Sequence, residues 1–327
     1  MPKKSYLYSP SRALGGRMAN IQSIKRLKSE VGAIILAHNY QRPEVQDVAD
    51  FVGDSLELSL KAAESDAEYI VFCGVDFMAE QAAILNPKSV VLHPVASSIC
   101  PMAHMLSLET AKEYRERYPG APFVVYVNSI AEVKAMADYI VTSANAAKLV
   151  GLLKEDTVLF GPDRHLASYV AEKTGKKIIP VPAFGHCPVH VLFDPEHVQR
   201  AREAFPGSRV LAHPECVDEV RRLSDFVGST SQMLRAPSSM TDRSFVIGTE
   251  VGVVHRMRSL YPDRIFVPLS ESAVCPNMKK ITLDSVETSL RARVYRVNVP
   301  EHVAAKVREN LKRTFDLLGV NVSWRWN

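Results

Sequence analysis

Apolar positions along this 327-residue chain fall alternately into short unbroken runs and into i, i+3, i+7 sets. Runs such as AIILAH, PFVVYV and SRVLAH lack the polar alternation of a half-exposed sheet, so they predict parallel strands covered on both faces. A helical set follows each run: Val45, Val48 and Val52, then Val133, Met136 and Ile140, then Val220, Leu223 and Val227. These sets are shifted by 88 and then 87 residues, so the pattern is written three times. Other positions share the offset. His38, Tyr126 and His213 stand at the end of a first strand, and Asp50, Asp138 and Asp225 lie five residues before Ser55, Ser143 and Thr230. Gly74, Gly161 and Gly248 belong to a second strand. A further helical pattern leads to a third run (SVVLHPV, KIIPVPA, RIFVPLS) and then to Cys100-Pro101, Cys187-Pro188 or Cys275-Pro276.

Each copy therefore predicts a β-α-β-α-β-α unit. The expected fold class is α/β: three pseudo-threefold-related, three-layer αβα domains with parallel sheets around a central cluster site. The boundaries expected are 21–105, 106–190 and 191–284, with 285–327 packing on the first repeat. Within that last segment, Val303, Val307, Leu311 and Leu318 mark one side of a closing amphipathic helix. No Gly/Ser- or Pro-rich linker separates the copies, so they should pack against one another. Ligands bind beyond the carboxyl ends of strands in parallel sheets. His38, Asn39 and Tyr40, Tyr126 and Asn128, His213 and Glu215, and all three Cys-Pro pairs occupy that position.

Composition narrows the partners. A net charge of +4 without a Lys/Arg block gives no footprint for nucleic acid or a membrane face. The N-terminal stretch MPKKSYLYSPSRALGGRMAN lacks a signal peptide's apolar segment, and no run approaches the roughly 18 apolar residues of a membrane span. A cytoplasmic location is expected. There, five cysteines point to metal or redox chemistry rather than to disulfides.

The local C-x₂-C pairs of structural zinc sites are absent from the sequence. Three distant thiolates, each before proline, point instead to iron–sulfur ligation by Cys100, Cys187 and Cys275. Three ligands leave one iron of a [4Fe–4S] cluster open as a Lewis acid. Cys73 and Cys216 lack the register and read as structural. At helix starts, Ser55, Ser143 and Thr230 suit capping, and their triplication suits anion binding. Glu215 is the preferred general acid/base, with Tyr40 and Tyr126 next. His190 and Glu250 are open candidates, and Lys279-Lys280 reads equally as a phosphate site or a solvated charge pair.

The segments HNYQRPEVQDVADFVGDSLEL, CGVDFMAE, YVNS, VTSANA, HPEC, GST, GTEVGVVHRM and CPNMKKITL together resemble the quinolinate synthase (quinolinate synthetase A) family of NAD biosynthesis. The resemblance runs from about residue 30 to 285. It implies one [4Fe–4S] cluster on Cys100, Cys187 and Cys275. The activity implied is a transferase reaction that condenses iminoaspartate (iminosuccinate) with dihydroxyacetone phosphate to give quinolinate, phosphate and water. Substrate contacts are implied for His38, Ser55, Tyr126, Val127, Asn128, Ser143, His213, Pro214, Glu215 and Thr230. Catalytic roles are implied for Glu215, Tyr40, Tyr126, His38 and His213, with the open iron assisting the last dehydration. An aspartate oxidase or aspartate dehydrogenase would supply the imine. His165 and His186 stand where the family more often carries other residues. Two other readings stay open: a radical S-adenosylmethionine enzyme of the diphthamide type, and a non-catalytic iron–sulfur sensor. The HNY, YVN and HPE motifs suit a small polar pocket better than either.

Overall fold

The computed structural model describes residues 21–321; the N-terminal stretch considered above and residues 322–327 lie outside the described residues. Three parallel four-stranded sheets form its frame. The first holds β1 (Ala33–His38), β2 (Phe51–Gly53), β3 (Tyr69–Cys73) and β4 (Val90–Leu92). In the second are β5 (Phe123–Tyr126), β6 (Tyr139–Val141), β7 (Thr157–Gly161) and β8 (Lys177–Pro180). The third comprises β9 (Arg209–Ala212), β10 (Phe226–Val227), β11 (Ser244–Gly248) and β12 (Ile265–Pro268). All three share one strand order, β2-β1-β3-β4 and its counterparts. They also share one register: Leu36 pairs with Phe51, Val124 with Tyr139 and Leu211 with Phe226. Ile35, Leu36, Val124, Val125, Val210 and Leu211 are fully buried, as strands with helices on both faces require.

The helical sets read from sequence run too far. The helices after the first strands are only Pro43–Val48, Ala131–Met136 and Asp218–Leu223, and Val52, Ile140 and Val227 lie in β2, β6 and β10. Each unit therefore has four strands where the sequence suggested three. The cause is the repeated aspartate. The side chains of Asp50, Asp138 and Asp225 accept the backbone N–H of Ile35, Phe123 and Val210, each at 2.8 Å. Their own N–H groups donate to the carbonyls of those same residues at 2.9 Å. This clamp pins the chain beside the start of the central strand, and the next few residues add to the sheet instead of continuing the helix.

Helix Leu283–Ala292 packs on Ile21–Glu30 of the first unit. Helix Glu301–Leu318 lies mainly along Ala131–Met136 and β6 of the second unit, and also touches Asp76–Leu85 of the first. Its buried face carries the expected Val303, Val307, Leu311 and Leu318, with Phe315. Thr314 Oγ1 accepts the N–H of Ile140 at 2.9 Å, and Asn310 Nδ2 donates to Lys134 O at 3.1 Å. The closing segment thus divides between two units rather than covering the first alone. One apolar core runs through the first two units and this helix, with Met278 added from the third, whereas the third unit's main apolar clusters are made from its own residues and Val189. No helix among the described residues is long and apolar enough to cross a membrane.

Candidate active site

The carboxyl ends of the three sheets face one cavity of about 120 Å³. His38 and Tyr126 are the last residues of β1 and β5, and His213 follows β9 directly. Tyr40, Asn128 and Glu215 stand two residues further on, and all six side chains line the cavity. Ser55, Ser143 and Thr230 line it too. Their helices are capped by neighbours, Asp54 in the first unit and Ser229 in the third, each through a reciprocal capping box. Capping therefore does not occupy the hydroxyls. Thr230 Oγ1 lies 3.3 Å from Tyr40 OH, and Ser143 Oγ lies 3.3 Å from His213 Nε2.

Behind the cavity wall a chain of polar groups joins two of its lining residues, Tyr40 and Glu215. Tyr40 OH bonds Thr249 Oγ1 at 2.7 Å, Thr249 Oγ1 bonds His190 Nε2 at 2.9 Å, and His190 Nδ1 lies 2.7 Å from Glu215 Oε2. The carboxylate beside Nδ1 favours a proton there by charge, although the contact lacks hydrogen-bond alignment, and Nε2 is then left to accept. Thr249 then donates to His190 and accepts from Tyr40. The Tyr126 phenol also faces Glu215 closely enough to stabilise its charge. Burial pushes the Glu215 carboxyl up, but His213, His190 and the Tyr126 phenol outweigh it and hold the group below the usual carboxylate range. Burial, with the Glu215 charge behind it, raises both the Tyr40 and Tyr126 phenols.

His38 and His213 are held neutral. Burial is the main cause, bringing both to about 3; Lys279 adds to it for His38 and His190 for His213. Each accepts a backbone N–H at Nδ1, from Tyr40 at 3.1 Å and from Glu215 at 3.3 Å. The remaining proton sits on Nε2, so each ring offers a neutral donor.

Cys100, Cys187 and Cys275 line the same cavity, and all five cysteines are free thiols. Burial raises all three of these thiols above their ordinary range. Their backbone amides are engaged: Cys100, Cys187 and Cys275 donate to Asp76, Asp163 and Glu250 at 2.9, 3.0 and 3.0 Å.

A model of the quinolinate synthetase A protein family matches residues 22–316. The quinolinate synthase of Thermotoga maritima is 51% identical over 299 residues, which cover 91% of this chain and 100% of that protein. The chain belongs to the quinolinate synthase family. The quinolinate synthases of Thermococcus kodakarensis and Pyrococcus furiosus are each 51% identical, over 297 and 296 residues.

Against that family the donor set can be tested. Among the described residues, Cys187, His190 and Glu215 have ligand atoms that all lie within 4.8 Å of one another; the three thiols are not such a set. The compact set is already engaged within itself, because His190 pairs with Glu215 at 2.7 Å and bonds Thr249 at 2.9 Å. The thiol set is soft, comes from three units and is spaced too widely for one small ion. It fits a polynuclear iron–sulfur group.

The cavity gathers every side chain expected of it except three, of which Asn39 is fully buried outside the lining. Val127 faces a smaller neighbouring apolar pocket, and Pro214 is buried behind the wall between His213 and Glu215. Cys73 and Cys216 are fully buried in apolar clusters. Lys279 is committed to Glu250 at 2.9 Å and to the carbonyl of Tyr40, and Lys280 reaches Ser97 O, so neither is a free phosphate-binding cation. Sequence reasoning left His190 open, and it missed Thr249, Asp76 and Asp163. Both aspartates carry a signal, since they stand 87 residues apart and 87 precede Glu250. Thr249 carries none, for Val75 and Pro162 hold the equivalent places.

Proposed function

We propose that this chain forms quinolinate from iminoaspartate and dihydroxyacetone phosphate, releasing phosphate and water. The observation that carries the reading is the joining of Tyr40 to Glu215 through Thr249 and His190 beside three converging thiols. Bound on Cys100, Cys187 and Cys275, a [4Fe–4S] cluster supplies an iron without a protein ligand, a Lewis acid for loss of hydroxyl.

The chain's own residues do the rest. His38 and His213 offer Nε2–H donors, and the hydroxyls of Ser55, Ser143 and Thr230 line the same wall, which suits the two carboxylates of the imine. Asn128 adds an amide whose Oδ1 has no partner among the described residues, so it is placed to accept from a substrate amine or hydroxyl. Glu215 serves as the general base at carbon, with Tyr126 facing its carboxylate. Tyr40 gives up its proton through Thr249 to His190 as the imidazole proton moves to Glu215, and regains it by the reverse path. The apolar side chains of Val75, Phe77 and Met78 help to exclude water from a hydrolysable imine.

Imine of this lability requires a nearby supplier, an aspartate oxidase or an aspartate dehydrogenase. Free thiols and an oxygen-exposed iron suit the cytoplasm. The unit boundaries proposed are 21–105, 106–190 and 191–284, each then contributing one sheet and one ligand cysteine. The test is anaerobic reconstitution followed by an assay with freshly generated iminoaspartate and dihydroxyacetone phosphate. Quinolinate that depends on both substrates and is lost on exposure to air supports the reading. Protein holding four irons and four sulfides that yields no quinolinate overturns it.

A further inference from the structure

Asp76, Asp163 and Glu250 stand at intervals of 87 residues, each two residues after Gly74, Gly161 or Gly248. Their side chains leave their own loops and accept the backbone N–H of the cysteine 24, 24 and 25 residues further on. A second bond runs the opposite way in every unit. Asp76 N donates to Ser98 O at 2.9 Å, Arg164 N to Gly185 O at 2.8 Å, and Val251 N to Ala273 O at 3.0 Å. The acceptor in each case is the carbonyl two residues before the cysteine. Each cysteine loop is thus clasped by two reciprocal bonds to the loop after the preceding strand. The fit in the second unit leaves no slack, because a Cβ on Gly185 would collide with the carbonyl of Pro162.

Stabilisation by a cation does not unify these three acids. Glu250 pairs with Lys279 at 2.9 Å and Asp76 with His104 at 2.6 Å. Asp163, fully buried, has no Lys, Arg or His side-chain partner among the described residues; it accepts instead from Leu166 N at 2.7 Å and Cys187 N. What the three share is the cysteine amide. Burying a carboxylate is costly unless a specific contact requires it, and here the same contact recurs three times.

We propose that Asp76, Asp163 and Glu250 are positioning residues for the three thiol ligands, each fixing its cysteine loop before a cluster arrives. This rests on the reading that Cys100, Cys187 and Cys275 hold an iron–sulfur cluster. The reasoning is geometric. Each acid accepts the amide of the ligand cysteine itself, and the reciprocal bond ties the carbonyl two residues earlier, so the backbone that carries the thiol is held from both sides. A polynuclear group that needs all three thiols at once then meets loops already in place.

The experiment compares anaerobically reconstituted wild type with Asp163→Asn, Glu250→Gln, Asp163→Ala, Glu250→Ala and, as control, Asp138→Asn, whose aspartate caps the far end of a sheet. Iron and sulfide content and the rate of iron release to a chelator are read for each. Asn and Gln keep an acceptor oxygen for the cysteine amide, so cluster content and release stay close to wild type. The Ala variants lose the acceptor, so they release iron at least tenfold faster or fail to assemble the cluster, about the usual effect of removing a group that orients a metal ligand. If Asp163→Ala does not fold, Glu250→Ala decides. Ala variants that hold the cluster and release iron at the wild-type rate overturn the proposal, as does an equal rise in Asp138→Asn. Wild type that takes up no iron and sulfide overturns the cluster reading instead.

Discussion

The two ends of the three sheets carry the same residue chemistry in the same period. At the amino ends, Asp50, Asp138 and Asp225 accept an amide from the first three residues of the central strands and pair with cations: Lys28, Arg115 at 2.9 Å, and Arg202 at 3.2 Å. Those pairs are partly exposed, and each is worth no more than about 1 kcal/mol. At the carboxyl ends, Asp76, Asp163 and Glu250 also accept backbone amides, but two of them are fully buried and the amides belong to the cysteines. One triplet fixes where a strand begins. The other fixes where a thiol points. Repeat position identifies equivalent residues, and only solvation and neighbours assign the work they do.

Four substitutions test this contrast. Cys187→Ala, at the buried end, should abolish cluster binding and quinolinate formation together; normal iron content and cluster absorbance in this variant would remove Cys187 from the ligand set. Glu215→Gln should retain the cluster and lower kcat by about 10²–10⁴, the usual range for a general acid or base. Near-normal turnover there would place the proton transfer elsewhere. Thr249→Val removes the hydroxyl between Tyr40 and His190 with little change in shape. About a 10–10²-fold loss of kcat is expected, with KM and cluster content unchanged, and an unaltered kcat would break the relay. At the wet end, Asp138→Asn should leave kcat alone and lower unfolding stability by about 1 kcal/mol, read from denaturant melts. A larger fall in kcat than in stability would erase the distinction between the two ends.

Much of the fold was legible because the chain states it three times. A run such as AIILAH is ambiguous alone, yet its two copies at equal offsets remove the ambiguity. The edge strands β2, β6 and β10 escaped because two or three residues are too few to show a period, and Val52, Ile140 and Val227 happened to extend the preceding helical set. The cysteines and the strand-end residues were legible through register and motif. Thr249 was not, since its role exists only where the third unit meets Tyr40, 209 residues away. The destination of helix Glu301–Leu318 was equally hidden. An amphipathic face says that something covers it, not which unit does.

The drawing of one thiol from each unit has a consequence for biogenesis. A nascent chain that has not yet been translated through Cys275 carries at most two of the three thiols of the cavity. The helix that joins the first two units, Glu301–Leu318, follows Cys275 in the order of synthesis. Vectorial translation therefore separates making the polypeptide from arming it: under the cluster reading a half-made chain cannot trap a full metal load, and the helix that joins the first two units arrives after all three thiols.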